Sequence, residues 1–151
     1  MSRAKHIISK NTKETEEIAK QFLDRILKNK KTNSRALVVG LSGNLGAGKT
    51  AFVQAIAKHL GIKNKVKSPT FVIMKKYPLK NNHHKFLFHI DAYRLKNEAE
   101  LLHLGWEEII GDKEHLVFIE WPENVPKIMP VHAKFVYIRH GKNRERHFKL
   151  P

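Results

Sequence analysis

Residues 43–50 run Gly43-Asn44-Leu45-Gly46-Ala47-Gly48-Lys49-Thr50, a complete G-x-x-x-x-G-K-[ST] pattern, and this octet constrains the fold more than any other stretch. Such a loop functions between a β-strand and an α-helix. Its glycines let consecutive backbone N–H groups turn inward around phosphates, its lysine adds a positive charge and its Ser/Thr hydroxyl can ligate Mg²⁺. Both flanks are present. Upstream, Ala36-Leu37-Val38-Val39-Gly40-Leu41 is apolar and β-prone, and downstream Phe52, Val53, Ile56, Ala57 and Leu60 share one helical face before Gly61 stops the helix. The expected ligand is a nucleoside triphosphate, with Mg²⁺.

The chain has 151 residues, which matches one domain on a prior of roughly 100–200 residues. A single domain over 1–151 is expected. There is no cysteine, so disulfides and thiolate metal sites are excluded and a reducing compartment is expected. Met1 to Lys10 hold no apolar signal core, and nowhere do about 18 apolar residues run together. These features predict a soluble, cytoplasmic protein with no membrane association. Net charge is +15, from 29 Lys and Arg against 14 Asp and Glu, with a pI of about 10.1. The basic residues are dispersed rather than gathered into a tail, which leaves a solvated surface and a tRNA-facing patch both open.

Asn11 with Glu14 has the spacing of a capping box, and Ile18, Phe22 and Ile26 with Ala19, Leu23 and Leu27 form a helical stripe behind it. A polar breaker spans 29–34. The runs 70–77 and 85–91 read as a hairpin joined by 78–84, with Asn81-Asn82 at the turn. A short helix is expected over 98–104, ended by Gly105. Residues 116–119 read as a buried strand, and 134–140 with 146–150 as a hairpin around Gly141. Helices alternating with apolar strands predict an α/β sandwich with a mixed, partly parallel central sheet flanked by helices, of the P-loop NTPase kind.

Phosphate chemistry at such a loop needs carboxylate oxygens to hold Mg²⁺. Glu120 ends the run Leu116-Val117-Phe118-Ile119, and Trp121-Pro122 stops the strand there. Asp91 ends Phe86-Leu87-Phe88-His89-Ile90, with His89 and Asp91 on one face by period-two alternation. His89 itself reads as a half-buried, hydrogen-bonded side chain. His83-His84 lacks a partner acid at useful spacing and reads as loop.

In this order and spacing the blocks resemble the TsaE (formerly YjeE) family, the P-loop ATPases of bacterial tRNA threonylcarbamoyladenosine biosynthesis. The resemblance runs nearly end to end. It rests on the octet at 43–50, Lys67-Ser68-Pro69-Thr70-Phe71, His89-Ile90-Asp91-Ala92-Tyr93-Arg94-Leu95, Glu100 with Leu104-Gly105, and Ile119-Glu120-Trp121-Pro122-Glu123.

The resemblance implies an ATP- and Mg²⁺-dependent ATPase, slow alone, that supports the TsaD and TsaB pair. It further implies that Lys49 contacts the phosphates, Thr50 and Glu120 hold Mg²⁺, Asp91 belongs to a switch near the γ-phosphate and Trp121 supports the site. By the same carry-over, residues 68–71 respond to nucleotide, and Thr12 and Arg144 contact it outside the loop. One departure is Asn44, where the family commonly has Asp; backbone cradling survives this, but any anionic role of that side chain does not. Two other classes stay open on the residues alone: a small-molecule kinase using the same loop, and a nucleic-acid-binding module suggested by charge.

Overall fold

The computed structural model describes residues 3–28, 34–63, 65–80 and 83–151. Its centre is a seven-stranded mixed sheet in the order β1-β7-β6-β2-β5-β4-β3. The strands are β1 (Lys5–Ser9), β2 (Leu37–Ser42), β3 (Met74–Pro78), β4 (Phe86–Asp91), β5 (His115–Glu120), β6 (Lys134–His140) and β7 (Arg146–Leu150). β2 pairs parallel with both β5 and β6, and β5 pairs parallel with β4. The outer pairings β1–β7, β6–β7 and β3–β4 are antiparallel. Hence β2, β4 and β5 deliver their carboxyl ends to one edge of the sheet, where open α/β sheets form their ligand crevice. The register sets Leu41 against Glu120, and Glu120 against Asp91.

Period-two alternation divides the strand side chains between two cores. On one face, α1 (Thr12–Lys28) and α2 (Lys49–His59) cover Leu41, Leu87, Phe118, Val136 and Phe148. α1 contributes Ile18, Ala19, Phe22, Leu23 and Ile26, and the Phe22, Phe52 and Phe148 rings stack in sequence with centroids 5.7 Å apart. Truncating Phe22 to alanine removes the first ring of that stack and costs about 3–5 kcal/mol. On the other face, α3 (Ala99–His103) and α4 (Trp106–Gly111) cover Val38, Ile90 and Ile119. Trp106 is fully buried there and donates its indole N–H to the Ile128 carbonyl at 3.1 Å.

The expected sandwich, the first helix, the loop helix and the last hairpin are all present. Four local readings differ. First, β1 was not expected; its pattern is short, and its pairing with edge strand β7 is what holds it extended. Second, the run 70–77 is strand only from Met74. Pro69 opens a turn whose carbonyl takes the N–H groups of Val72 and Ile73, and Ile73 is left at φ 68°, a conformation costly for a β-branched residue.

Third, α4 follows α3 directly, because Gly105 at φ 91° lets one helix end and the next begin. Fourth, Asn11 caps the Glu14 N–H at 2.8 Å, but the Glu14 carboxylate returns to the Lys10 N–H rather than closing the box on Asn11. The Asn81-Asn82 turn and most of the 29–34 breaker lie outside the described residues. Among the described residues no helix is long and apolar enough to cross a membrane.

Candidate functional site

The loop between β2 and α2 opens at the sheet edge where β4 and β5 also end. α2 begins at Lys49 behind Gly48, which sits at φ 116° and ψ 18°. Only a residue without Cβ adopts that conformation readily, and it leaves the N–H groups of the first helical turn facing outward with the positive end of the helix dipole. Lys49 is 4% exposed. Its Nζ donates to the Gly43 carbonyl and, at 2.9 Å, to the Asn44 carbonyl, and lies 4.3 Å from the centroid of the Trp121 ring. Burial pushes the Lys49 ammonium below the ordinary lysine value, against the opposing pull of Glu120, Glu123 and Asp91.

Trp121 reaches the lysine because it leaves the sheet at φ 61°. Its N–H still bonds the Leu41 carbonyl at 3.1 Å, and Pro122 then starts a 3-10 turn. The preceding residue, Glu120, is thereby fixed at the tip of β5. Thr50 donates its hydroxyl to the Glu120 carboxylate, with distances of 3.1 and 3.0 Å to the two oxygens. His89 Nε2 lies 2.6 Å from Glu120 Oε2. The sheet alternation thus places His89 and Asp91 on one face as expected, the face that α2 covers, but His89 is fully buried and engaged with the acid of the neighbouring strand.

Asp91 is held differently. Its Oδ2 accepts from the Thr70 hydroxyl at 2.7 Å and its Oδ1 from the Tyr93 N–H at 2.9 Å. Thr70 is 2.6 Å from the Ser68 hydroxyl. The Ser-Pro-Thr segment is therefore latched to the tip of β4 by one carboxylate oxygen.

These groups line a cleft of about 330 Å³ that includes Gly48, Lys49, Thr50, Asp91, Glu120 and Trp121. Leu45 and Gly46 also line it, whereas Gly43, Asn44 and Ala47 are not among its lining residues, Asn44 being exposed. Thr12, exposed at the start of α1, and Arg144, exposed in the β6–β7 turn, are not among the residues lining this cleft. Arg146 is, from the first position of β7, with its guanidinium packed against Gly48.

Sequence reasoning missed Arg146 and the His89–Glu120 contact. The pairing of β7 through β6 to β2 that carries Arg146 to the loop is nonlocal, so no local signal marked that arginine. His89 did carry one, since it shares a face with Asp91.

Chemically, the site offers backbone N–H groups and two cations to an anion, and the hydroxyl and carboxylate oxygens of Thr50 and Glu120 to a hard divalent ion. Among the described residues no group of three or more His, Cys, Asp or Glu could hold a metal. An ion here must take its other ligands from substrate and water, the habit of Mg²⁺ at phosphate sites.

The family model described as "Threonylcarbamoyl adenosine biosynthesis protein TsaE" matches residues 9–148. The chain is similar to the tRNA threonylcarbamoyladenosine biosynthesis protein TsaE of Rickettsia felis, 35% identical over 124 residues that cover 82% of this chain and 66% of that protein. The protein of the same description from Bacillus subtilis is 36% identical over 109 residues, covering 72% and 65%. The crystal structure of Bacillus subtilis YdiB superposes with a TM-score of 0.68 at 26% identity, covering 99% of this chain and 87% of that one.

Proposed function

Because this chain belongs to the TsaE family of threonylcarbamoyl adenosine biosynthesis proteins, we propose that it binds ATP with Mg²⁺ and hydrolyses it in support of the TsaD and TsaB pair. The observation that carries the reading is the Thr50–Glu120 contact at the base of the phosphate-type loop. A hydroxyl and a carboxylate drawn from α2 and from the end of β5 meet where a divalent ion beside bound phosphates needs oxygen ligands.

In this reading the loop N–H groups bind the phosphates and Lys49 supplies charge to them. Thr50 and Glu120 would hold Mg²⁺, which neutralises charge developing on the terminal phosphates. Asp91 orients the approach to the γ-phosphate through its latch to Thr70, and Trp121 walls the lysine from water. Arg146 adds a second cation beside the loop. The protein acts as a cytoplasmic component, its net charge of +15 favouring proximity to tRNA. A partner accelerates turnover by ordering 68–71 and the segment after Asp91, as nucleotide switches are ordered by their contacts.

The test is phosphate release measured across a titration of the TsaD and TsaB pair, with gel filtration in ATP and without nucleotide. Slow basal release, stimulation by the pair and a complex favoured by ATP are the expected results. Mg²⁺-independent nucleotide affinity, or the absence of both complex and stimulation, would overturn the reading. Transfer of label from ATP to a small acceptor would favour a kinase.

A further inference from the structure

Resting on that nucleotide reading, we propose that His89 is a positioning residue, whose imidazole holds Glu120 Oε2 and so fixes the carboxylate beside Thr50, its proposed fellow ligand to the ion. The contact is short and dry: Nε2 is 2.6 Å from Oε2, with the two side chains 0% and 4% exposed. Among the described residues the carboxylate has one other hydrogen-bonded anchor, the Thr50 hydroxyl, which spans both oxygens. Thr50 is also the group that nucleotide chemistry engages. His89 is the anchor from the sheet itself, and among the described residues it is the group besides Thr50 that restrains rotation of the carboxylate, through the Oε2 atom that both contact.

The economics of burial point the same way. His89 Nδ1 is buried with no hydrogen-bond partner among the described residues. A carboxylate only accepts, so the contact to Glu120 is made by an Nε2–H, while Nδ1 stays buried and unsatisfied at a cost. A histidine kept only to hold the fold gains little from such a site. Its neighbours on the same face include Leu87, and its cross-strand partners are Phe118 on β5, fully buried like Leu87, and the half-buried Lys75 on β3; against Leu87 and Phe118 an apolar side chain would fill that space without stranding a polar atom. Among the described residues its side chain makes one polar contact, to Glu120, and that is therefore the contribution to explain.

The experiment measures the dissociation constant of a non-hydrolysable ATP analogue with Mg²⁺ and with EDTA, for wild type, His89→Leu and His89→Gln. Glutamine can present an N–H at the same reach; leucine cannot. His89→Leu is expected to lower the Mg²⁺ enhancement of affinity roughly 10- to 100-fold, the range for groups that orient a metal ligand, with the EDTA value unchanged. His89→Gln is expected to stay near wild type, and His89→Leu to add nothing once Glu120→Gln is present. Where leucine unfolds the chain, His89→Asn, too short to reach Glu120, carries the same expectation.

Wild-type Mg²⁺ enhancement in the Leu and Asn variants would overturn the proposal. So would equal loss in Gln and Leu, which marks a packing role. Absence of any Mg²⁺ enhancement in wild type, by contrast, removes the nucleotide reading on which the proposal stands.

Discussion

Lys49 Nζ stands 4.3 Å from the centroid of the Trp121 ring while the same nitrogen donates to the carbonyls of its own loop. On the proposed reading the lysine is stored beside its site by neutral partners, and an anionic phosphate oxygen would compete with them. Lys49→Ala is expected to weaken nucleotide binding about 10-fold or more, from the loss of roughly 1.5–3 kcal/mol, with the circular dichroism spectrum unchanged. Nucleotide should also shift Trp121 emission in wild type and much less in the variant. Trp106, fully buried on the other face of the sheet, supplies a constant background. Unaltered affinity in Lys49→Ala would discard the phosphate role.

The same burial has a pH consequence in nucleotide-free, metal-free protein. A lysine whose folded value is lowered releases its proton before the unfolded chain does, so the unfolded state binds more protons in the window just below 10.5. Stability contributed by this group rises with pH there, because the cost of the buried charge is relieved. The melting midpoint of wild type relative to Lys49→Met should therefore improve as pH climbs from neutral towards that window. A difference that is flat or declining contradicts the assigned cause.

Much of the site was legible because its residues are tied to local signals. The octet at 43–50 and the acids closing two apolar runs are readable wherever a strand stops, and Trp121-Pro122 marks such a stop. What escaped depends on pairing across the chain. Arg146 reaches the loop only because β7 joins β6 and β6 joins β2, whereas Arg144, two residues earlier, stays in an exposed turn. His89 was read as half-buried because its neighbour on β5 was not yet known. At Ile73, β-propensity pointed to strand, and the turn opened by Pro69 prevailed.

Gly48 gives a sharp steric test. A Cβ there would lie 2.9 Å from the Arg146 Nη1, on a backbone at φ 116°. Gly48→Ala should cost about 1–2 kcal/mol from the left-handed backbone alone and displace the guanidinium, so both melting midpoint and nucleotide affinity fall. Gly111, in α4 with open space at its Cβ position, is the control. Gly111→Ala should leave affinity untouched; equal behaviour of the two variants would show that the loop does not depend on this glycine.

Glu120 and Asp91 face each other in register on β5 and β4, yet their partners assign them different work. Glu120 is shared between Thr50 and His89, so replacing its anionic oxygen in Glu120→Gln would remove the proposed hard ligand while the shape remains. Nucleotide binding in EDTA should persist, and its strengthening by Mg²⁺ should be lost. Asp91 has both oxygens engaged by Thr70 and the Tyr93 N–H, which makes it a latch. Asp91→Asn keeps an acceptor for the Tyr93 N–H and can donate to the Thr70 hydroxyl, so Mg²⁺-dependent affinity should survive while phosphate release slows. Isothermal titration with and without Mg²⁺, paired with phosphate-release rates, separates the two acids. If Asp91→Asn erodes the Mg²⁺ dependence more than Glu120→Gln does, the ligand is Asp91 and the two roles are exchanged.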